Sequence, residues 1–460
     1  MAIAPNSPAA RDIAYQLHPY TNLEAHQKTG SLIIREGKGI YVYDDSGKQY
    51  IEGLAGLWSM SLGWNQERLI DAATNAMRKL PFYHQFGAKA HKPGIDLAEK
   101  LIEMAPVKMS KAFFANSGSE ANDTAIKIIW YYNAARGKPE RKKIIARLRG
   151  YHGVTLAAAS LTGLPHLHKY FGLPIAEVKH TSCPYYYRNG QPGETEEEFS
   201  TRLAAELEKL ILDEGPETVA AFFAEPIMGA GGVLLPPKGY FEKIQAVLKK
   251  YDILFVADEV ICGFHRTGNT WGSETYNLKP DILTCAKALS SSYLPISGVM
   301  ITEPLFQALA KGSADVGNWG HGYTYSGHPV AAAVALETLK MYEDLDIGAH
   351  AKRMSPTLQN GLRKFADHPL VGEVRGIGLI GAVELVKNKK TKESFDPKAF
   401  VGLYLTKRAQ EHGLIIRAMG DHIGFCPPLI IKSDEIESML SKFGKALDET
   451  HAMVKEKGLV

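Results

Sequence analysis

Short apolar runs alternate with stretches of helical spacing through the middle of the chain, between about residues 95 and 320. The runs at Ala112–Ala115, Lys143–Leu148, Val219–Ala224, Ile253–Ala257, Ile282–Cys285 and Gly298–Thr302 predict strands. The stretches between them, Glu120–Arg136 and Tyr240–Lys250 among them, predict helices. Repeated strand–helix–strand order predicts an α/β fold with a parallel sheet covered by helices on both faces.

Outside this stretch the pattern changes. Residues 39–53 place aromatic and β-branched residues on either side of Asp45-Ser46-Gly47, which predicts a β-hairpin. Beyond about 330 the order is helix (Val330–Tyr342), helix (Ser355–Phe365), strands within Gly372–Val386, helix (Phe400–Glu411), further strands and a last helix (Asp434–Thr450). That order reads as a smaller α+β domain. The expected division is an N-terminal segment, 1–70, belonging to the small domain, a large α/β domain over 71–330, and a C-terminal α+β part over 331–460. The acidic patch Glu194–Glu198 reads as a solvated loop or a helix start.

One motif misleads. Gly376-Ile377-Gly378-Leu379-Ile380-Gly381 has the spacing of a dinucleotide-binding turn, but such a turn must open a helix. Here Ala382–Val386 continues as a strand pattern, and Asp396, near the right distance, lies in a stretch that reads as a loop. A nicotinamide dehydrogenase is not expected.

Composition narrows the field further. The 460 residues are 45% hydrophobic, enough for a large core, and 53 basic residues face 50 acidic ones. That balance gives no electrostatic reason to expect nucleic acid or membrane binding. The first twelve residues hold no apolar h-region, so no secretory signal is expected. Cys183, Cys262, Cys285 and Cys426 are scattered, without a Cys-x-x-Cys pair. No disulfide framework and no metal site is expected, and a reducing cytoplasm fits.

The candidate chemistry lies at strand ends. Ile253–Ala257 runs into Asp258-Glu259-Val260, and Ile282–Cys285 runs through Ala286 into Lys287, so an acid and an amine arrive at corresponding ends. Parallel sheets bind ligands outside those ends. A lysine able to form a Schiff base and an aspartate to pair a pyridinium nitrogen are the protein's share of pyridoxal phosphate chemistry. Asn116-Ser117-Gly118-Ser119-Glu120-Ala121-Asn122 follows a predicted strand and opens a helix. Its Ser117–Glu120 spacing is that of a capping box, Gly118 allows close approach, Ser119 adds a hydroxyl, and the helix N-terminus suits a phosphate. Tyr151-His152-Gly153 follows another strand and offers a ring to stack. Glu225 ends Val219–Ala224, placed to hold Asp258 or, through water, a cofactor oxygen. Val260 points to the same side as Asp258 if that strand continues. Arg417 emerges from the apolar run Leu414-Ile415-Ile416 with a guanidinium suited to a carboxylate.

Together these residues resemble the class III pyridoxal-phosphate-dependent aminotransferases of fold type I, and within them the ω-transaminases that use pyruvate as amine acceptor. The carriers are Asn116–Asn122, Tyr151-His152-Gly153, Asp258-Glu259-Val260 with Gly263-Phe264-His265-Arg266-Thr267-Gly268, and Lys287, twenty-nine residues after Asp258. The resemblance extends from about Pro19 to the C-terminal helix. It implies a large domain with a mainly parallel seven-stranded sheet and a homodimer with active sites at its interface. It implies that Lys287 carries pyridoxal 5'-phosphate, that Asp258 pairs the ring nitrogen, and that Gly118 and Ser119 bind the phosphate. Tyr151 and Val260 then sandwich the ring, with His152 and Glu225 in the same site. Thr324, in Gly322-Tyr323-Thr324-Tyr325, is the residue expected to reach the phosphate from the second subunit. Trp58 and Phe86 are the expected aromatic walls of the substrate pocket, shared across the dimer, with Tyr151 beside them. Ala230, in Met228-Gly229-Ala230-Gly231-Gly232, is a small residue expected beside the substrate, where the resemblance implies a bulkier or hydroxylated residue in many relatives. Arg417 is expected to meet a substrate carboxylate and swing away for an apolar amine. The implied reaction is ping-pong transfer from an aryl-alkyl or aliphatic primary amine to pyruvate or a similar oxo acid. An aminomutase or decarboxylase on the same fold, and a binding protein without cofactor, are the alternatives.

Overall fold

The computed structural model describes residues 4–460. Residues 1–3, the start of the segment read for a signal sequence and of the expected 1–70 segment, lie outside the described residues. Near the N-terminus β1 (Ile34–Lys38), β2 (Tyr41–Asp44) and β3 (Gln49–Glu52) form an antiparallel meander. The predicted hairpin is β2–β3. Asp44 Oδ1 accepts from the amides of Ser46 and Lys48 and closes its turn.

The central sheet contains β4 (Lys111–Ala115), β5 (Lys143–Arg147), β6 (Val178–Thr181), β7 (Val219–Ala224), β8 (Leu254–Asp258), β9 (Ile282–Cys285) and β10 (Ser297–Ile301) in the order β4-β10-β9-β8-β7-β5-β6. Pairing is parallel from β9 through to β6. β10 is antiparallel to both of its neighbours. Two reversals cancel, so β4 points the same way as the parallel strands. Six carboxyl ends therefore share one edge of the sheet.

β7, β9 and β10 are buried along their whole length, as unbroken apolar runs in a doubly covered sheet should be. Successive side chains go to opposite faces. Phe223 packs with Ile126 and Ile129 of the helix Gly118–Ala135. Phe222 packs with Phe199, Leu203 and Leu207 of the helix Glu196–Glu214 and with Phe241 and Ile244 of Tyr240–Lys250. Burying each phenylalanine contributes on the order of 1.5–3 kcal/mol. The acidic patch opens Glu196–Glu214, where Thr195 and Glu198 form a capping box.

In the C-terminal third, β11 (Val371–Ile377) and β12 (Ile380–Leu385) pair antiparallel and turn at Gly378, whose φ is 57°. The Gly-x-Gly-x-x-Gly stretch is this hairpin, and no helix follows it. β13 (Leu414–Ile415) pairs parallel with β3. β14 (Arg417–Met419) and β15 (His422–Phe425) extend the hairpin into a third sheet of order β11-β12-β15-β14.

Two expectations need correction. The helix read as Ser355–Phe365 is Ile347–Arg363, with Pro356 inside it. Serine followed by proline imitates a helix start, but buried Ile347, Ala351, Leu358 and Leu362 hold the helix across the missing amide. β6 was not anticipated, because Val-Lys-His-Thr is short and half polar, as an edge strand can be. Among the described residues no helix is long and apolar enough to cross a membrane.

Candidate active site

A cavity of about 1280 Å³ opens at the shared carboxyl edge of the central sheet. Asp258 and Thr284 are register partners at the ends of β8 and β9, which puts Lys287 just beyond the same edge. Lys287 has φ 48°, a conformation that costs a non-glycine residue on the order of 1–3 kcal/mol and recurs at functional positions. Burial lowers the pKa of its amine, and the negative charges of Asp258 and Glu225 offset part of that effect. Neither acid pairs with the amine, because each is engaged elsewhere.

Asp258 is buried, and its carboxylate is tied on several sides. His152 Nδ1 lies 2.8 Å from Oδ2, Asn122 Nδ2 donates to the same oxygen at 2.8 Å, and the Val260 amide donates to Oδ1 at 3.1 Å. Asn122 is fixed in turn: it donates to the His152 carbonyl and accepts from Thr284 Oγ1. His152 was expected in the cofactor site, and the structure gives its side chain the task of holding Asp258. Asn122 and Thr284 were not singled out. The signal for Asn122 was its place four residues after Gly118 on one helix face.

Helix Gly118–Ala135 begins where β4 ends. Ser117 Oγ accepts from the Glu120 amide at 3.2 Å, but Glu120 reaches back to the amide and side chain of Asn116 and not to Ser117. The expected reciprocal box is thus half formed. A Cβ on Gly118 would come within 3.1 Å of Val260, so glycine lets the turn after β8 pack beneath the helix start. β8 ends at Asp258, so Val260 takes its place from this turn and not from a continuing strand. Ser119 Oγ accepts from the Val154 amide.

Glu225 does not touch Asp258. Its two oxygens accept from the amides of Tyr151 and Gly229, at 3.0 and 2.9 Å, and burial raises its pKa. It therefore positions the Tyr151 loop and the Met228–Gly232 loop together. Tyr151 lines the cavity, and the Tyr20 hydroxyl donates to its hydroxyl at 3.2 Å. Tyr20 was not anticipated; a lone tyrosine in an N-terminal segment carries no pattern.

Trp58, Ala230 and Arg417 line the same cavity. Trp58 is buried, and Gly424 leaves it room: a Cβ there would lie 3.0 Å from the ring. Gly424 is the register partner of Arg417. Arg417 is half-buried, and its guanidinium has no hydrogen-bond or ion-pair partner among the described residues.

Phe86 and Thr324 do not join this group in the single chain. Both are exposed. They belong to one surface patch, where Phe86 abuts Gly322 and Phe82 packs edge-on against Tyr325 at 5.8 Å.

The residues at the cavity suit pyridoxal phosphate. A lysine amine without an acid partner, a fixed buried carboxylate and a helix start whose Gly118 and Ser119 amides have no acceptor among the described residues surround one space. Fold and site define a pyridoxal-phosphate-dependent enzyme of fold type I. The family model for class-III aminotransferases matches residues 23–447, and the chain belongs to that family. Among its relatives, gamma aminobutyrate transaminase 3, chloroplastic, of Solanum lycopersicum is 53% identical over 92% of this chain and 82% of its own length. Vanillin aminotransferase of Capsicum frutescens is 50% identical over 92% of this chain and 93% of its own. The omega transaminase of Pseudomonas jessenii in complex with PMP superposes with a TM-score of 0.97 at 56% identity, covering 98% of this chain and 99% of that one. A thermostable omega transaminase variant, W58M/F86L/R417L, engineered for asymmetric synthesis of enantiopure bulky amines, has a TM-score of 0.96 at 56% identity, covering 97% and 100%.

Proposed function

We propose that this aminotransferase is an ω-transaminase that moves an amino group from an aryl-alkyl or aliphatic primary amine to pyruvate or a similar oxo acid in two half-reactions. The observation that carries this reading is Arg417, a guanidinium unpaired among the described residues, beside the apolar wall of Trp58 in the same cavity as Lys287. A pocket with both features receives an apolar amine and a small carboxylate in turn. The neighbour engineered for bulky amines is altered at residues numbered 58, 86 and 417, and this chain has Trp58, Phe86 and Arg417 at those numbers.

Bound pyridoxal phosphate supplies the carbonyl that takes up the amino group and an electron-poor ring that withdraws electrons from the substrate carbon. Lys287 Nζ would hold the cofactor between turnovers and, as a free amine, would take and return the proton at that carbon. Its lowered pKa leaves more of the free amine as base near neutrality than an ordinary lysine would have. Asp258, oriented by His152 and Asn122, would pair with the ring nitrogen of the bound cofactor. Gly118 and Ser119 would receive the phosphate, Tyr151 and Val260 would pack against the ring, and Glu225 holds the Tyr151 loop. Ala230 leaves space beside the substrate.

The exposed patch of Phe82, Phe86, Thr324 and Tyr325 supports a homodimer in which Phe86 and Thr324 complete the partner's site. The first 70 residues and those beyond 330 act as one small domain, with 71–330 as the large one; the β3–β13 pairing supports that grouping. Four free, buried cysteines support a reducing, cytoplasmic location. A γ-amino acid donor is a second reading, favoured by the gamma aminobutyrate transaminase relatives, since its carboxylate would pair with Arg417. The deciding experiment supplies purified holoenzyme with an aryl-alkyl amine and pyruvate. Ketone and alanine in equal amounts support the reading; an isomerised amine, carbon dioxide or no alanine overturns it.

A further inference from the structure

A second constellation lies in the N-terminal arm, outside the chemistry described so far. Asp12 is on the helix Pro8–Tyr15, His18 follows it, His26 is on the helix Leu23–Thr29, and Ser31 comes just after. Their polar atoms converge. His18 Nε2 lies 2.8 and 2.9 Å from the two oxygens of Asp12. His26 Nε2 lies 3.1 Å from Asp12 Oδ2 and 2.9 Å from Ser31 Oγ. Ser31 Oγ itself is 2.5 Å from the same Oδ2. One carboxylate oxygen thus meets three groups at once, while both imidazoles direct the same nitrogen at it. One ligand atom from each of Asp12, His18 and His26 fits within a span of 4.8 Å.

We propose that Asp12, His18 and His26 bind a divalent first-row transition metal ion, zinc being the best match, with Ser31 Oγ or water as fourth ligand. Two imidazoles and a carboxylate suit zinc, whereas calcium and magnesium require all-oxygen shells. Tetrahedral ligands at zinc bond lengths sit roughly 3.3 Å apart. The histidine-to-carboxylate spacings of 2.8–3.1 Å lie within about half an ångström of that, and the three ligand atoms fit within 4.8 Å, so small side-chain shifts would admit the ion. His26 and Asp12 are nearly buried, and His18 is 22% exposed, which gives the ion a way in.

The arm needs such a tie. Helix Pro8–Tyr15 buries none of its residues, and Tyr15 and Leu17 are 88% and 80% exposed. Apolar packing therefore does little to hold it. Pro19 and Tyr20, between the two histidines, line the active-site cavity, where Tyr20 meets Tyr151. The ion staples in place the segment that presents Tyr20 to the pocket.

The test is zinc titration of chelator-stripped holoenzyme by equilibrium dialysis, for wild type, Asp12→Asn, His18→Gln and His26→Gln. One equivalent per chain is expected in wild type, with affinity at least tenfold weaker in each variant. Cobalt(II) in place of zinc should give visible d–d bands in wild type that the variants lack. Zinc should also slow tryptic cleavage after Arg11 and Lys28 in wild type alone. An unchanged cofactor absorption band and melting temperature in the variants separates lost ligands from a lost fold, and His18→Gln, the most exposed site, serves for that comparison. No saturable uptake by wild type, or equal affinity in all four proteins, overturns the proposal.

Discussion

Asp258 and Arg417 line one cavity and are held in different ways. Asp258 is buried, and His152, Asn122 and the Val260 amide engage its carboxylate, with Thr284 locking Asn122 behind it. Arg417 is half-buried on a three-residue strand and has no partner among the described residues. On the proposed function the acid would meet the same cofactor in every turnover, so orientation paid once would serve each cycle. On the same reading the arginine would meet two unlike substrates, and a guanidinium locked beside an apolar amine would be desolvated without compensation. Rigidity and freedom are thus divided between the two ends of the site according to what each end meets.

Four measurements sharpen or break this contrast. Lys287→Ala should abolish turnover with the melting transition retained; transamination at the wild-type rate would remove Lys287 from the chemistry. Asp258→Asn should slow the amine half-reaction by about two orders of magnitude, on the scale of other removed electrostatic stabilisers. A single-turnover rate within a few-fold of wild type would show that the fixed end contributes only structure. Arg417→Ala should weaken the pyruvate half-reaction roughly ten- to hundred-fold, from loss of a charge-assisted contact of about 1.5–3 kcal/mol, and spare an aryl-alkyl amine. Equal losses for both substrates would make Arg417 a structural residue. With γ-aminobutyrate as donor, both half-reactions should fall. The smallest effect belongs to His152→Asn: loss of about 1 kcal/mol of orientation predicts a roughly fivefold slower amine half-reaction with little change for pyruvate affinity. If it matches Asp258→Asn, His152 acts on the cofactor itself.

The strand-end chemistry was legible because parallel strands write themselves as apolar runs with a functional residue at the end. Asp258 and Lys287 were found that way, and β7 and β9 were bounded correctly. Residues whose role depends on a distant partner were not legible. Glu225 could be located at a strand end, but one of its two amide partners, Tyr151, comes from a loop distant in the sequence. The half-formed cap at Ser117 shows that spacing allows a contact without selecting it, since Asn116 competes for Glu120. Asp12, His18 and His26 have no periodicity, and only the folding of the arm brings them together. Phe86 and Thr324 followed from resemblance alone, and a single chain leaves them on its surface.

The parallel pairing of β3 with β13 also has a temporal side. Its two strands lie about 360 residues apart in the chain, and at ribosomal rates of about 5–20 residues per second β3 emerges roughly 20–70 s before its neighbour. Throughout that interval the meander β1–β3 has an unpaired edge, which is where strands recruit the wrong partner. The N-terminal meander therefore completes its sheet only after the large α/β layer has been synthesised, and chaperone demand during synthesis should concentrate on that first open edge.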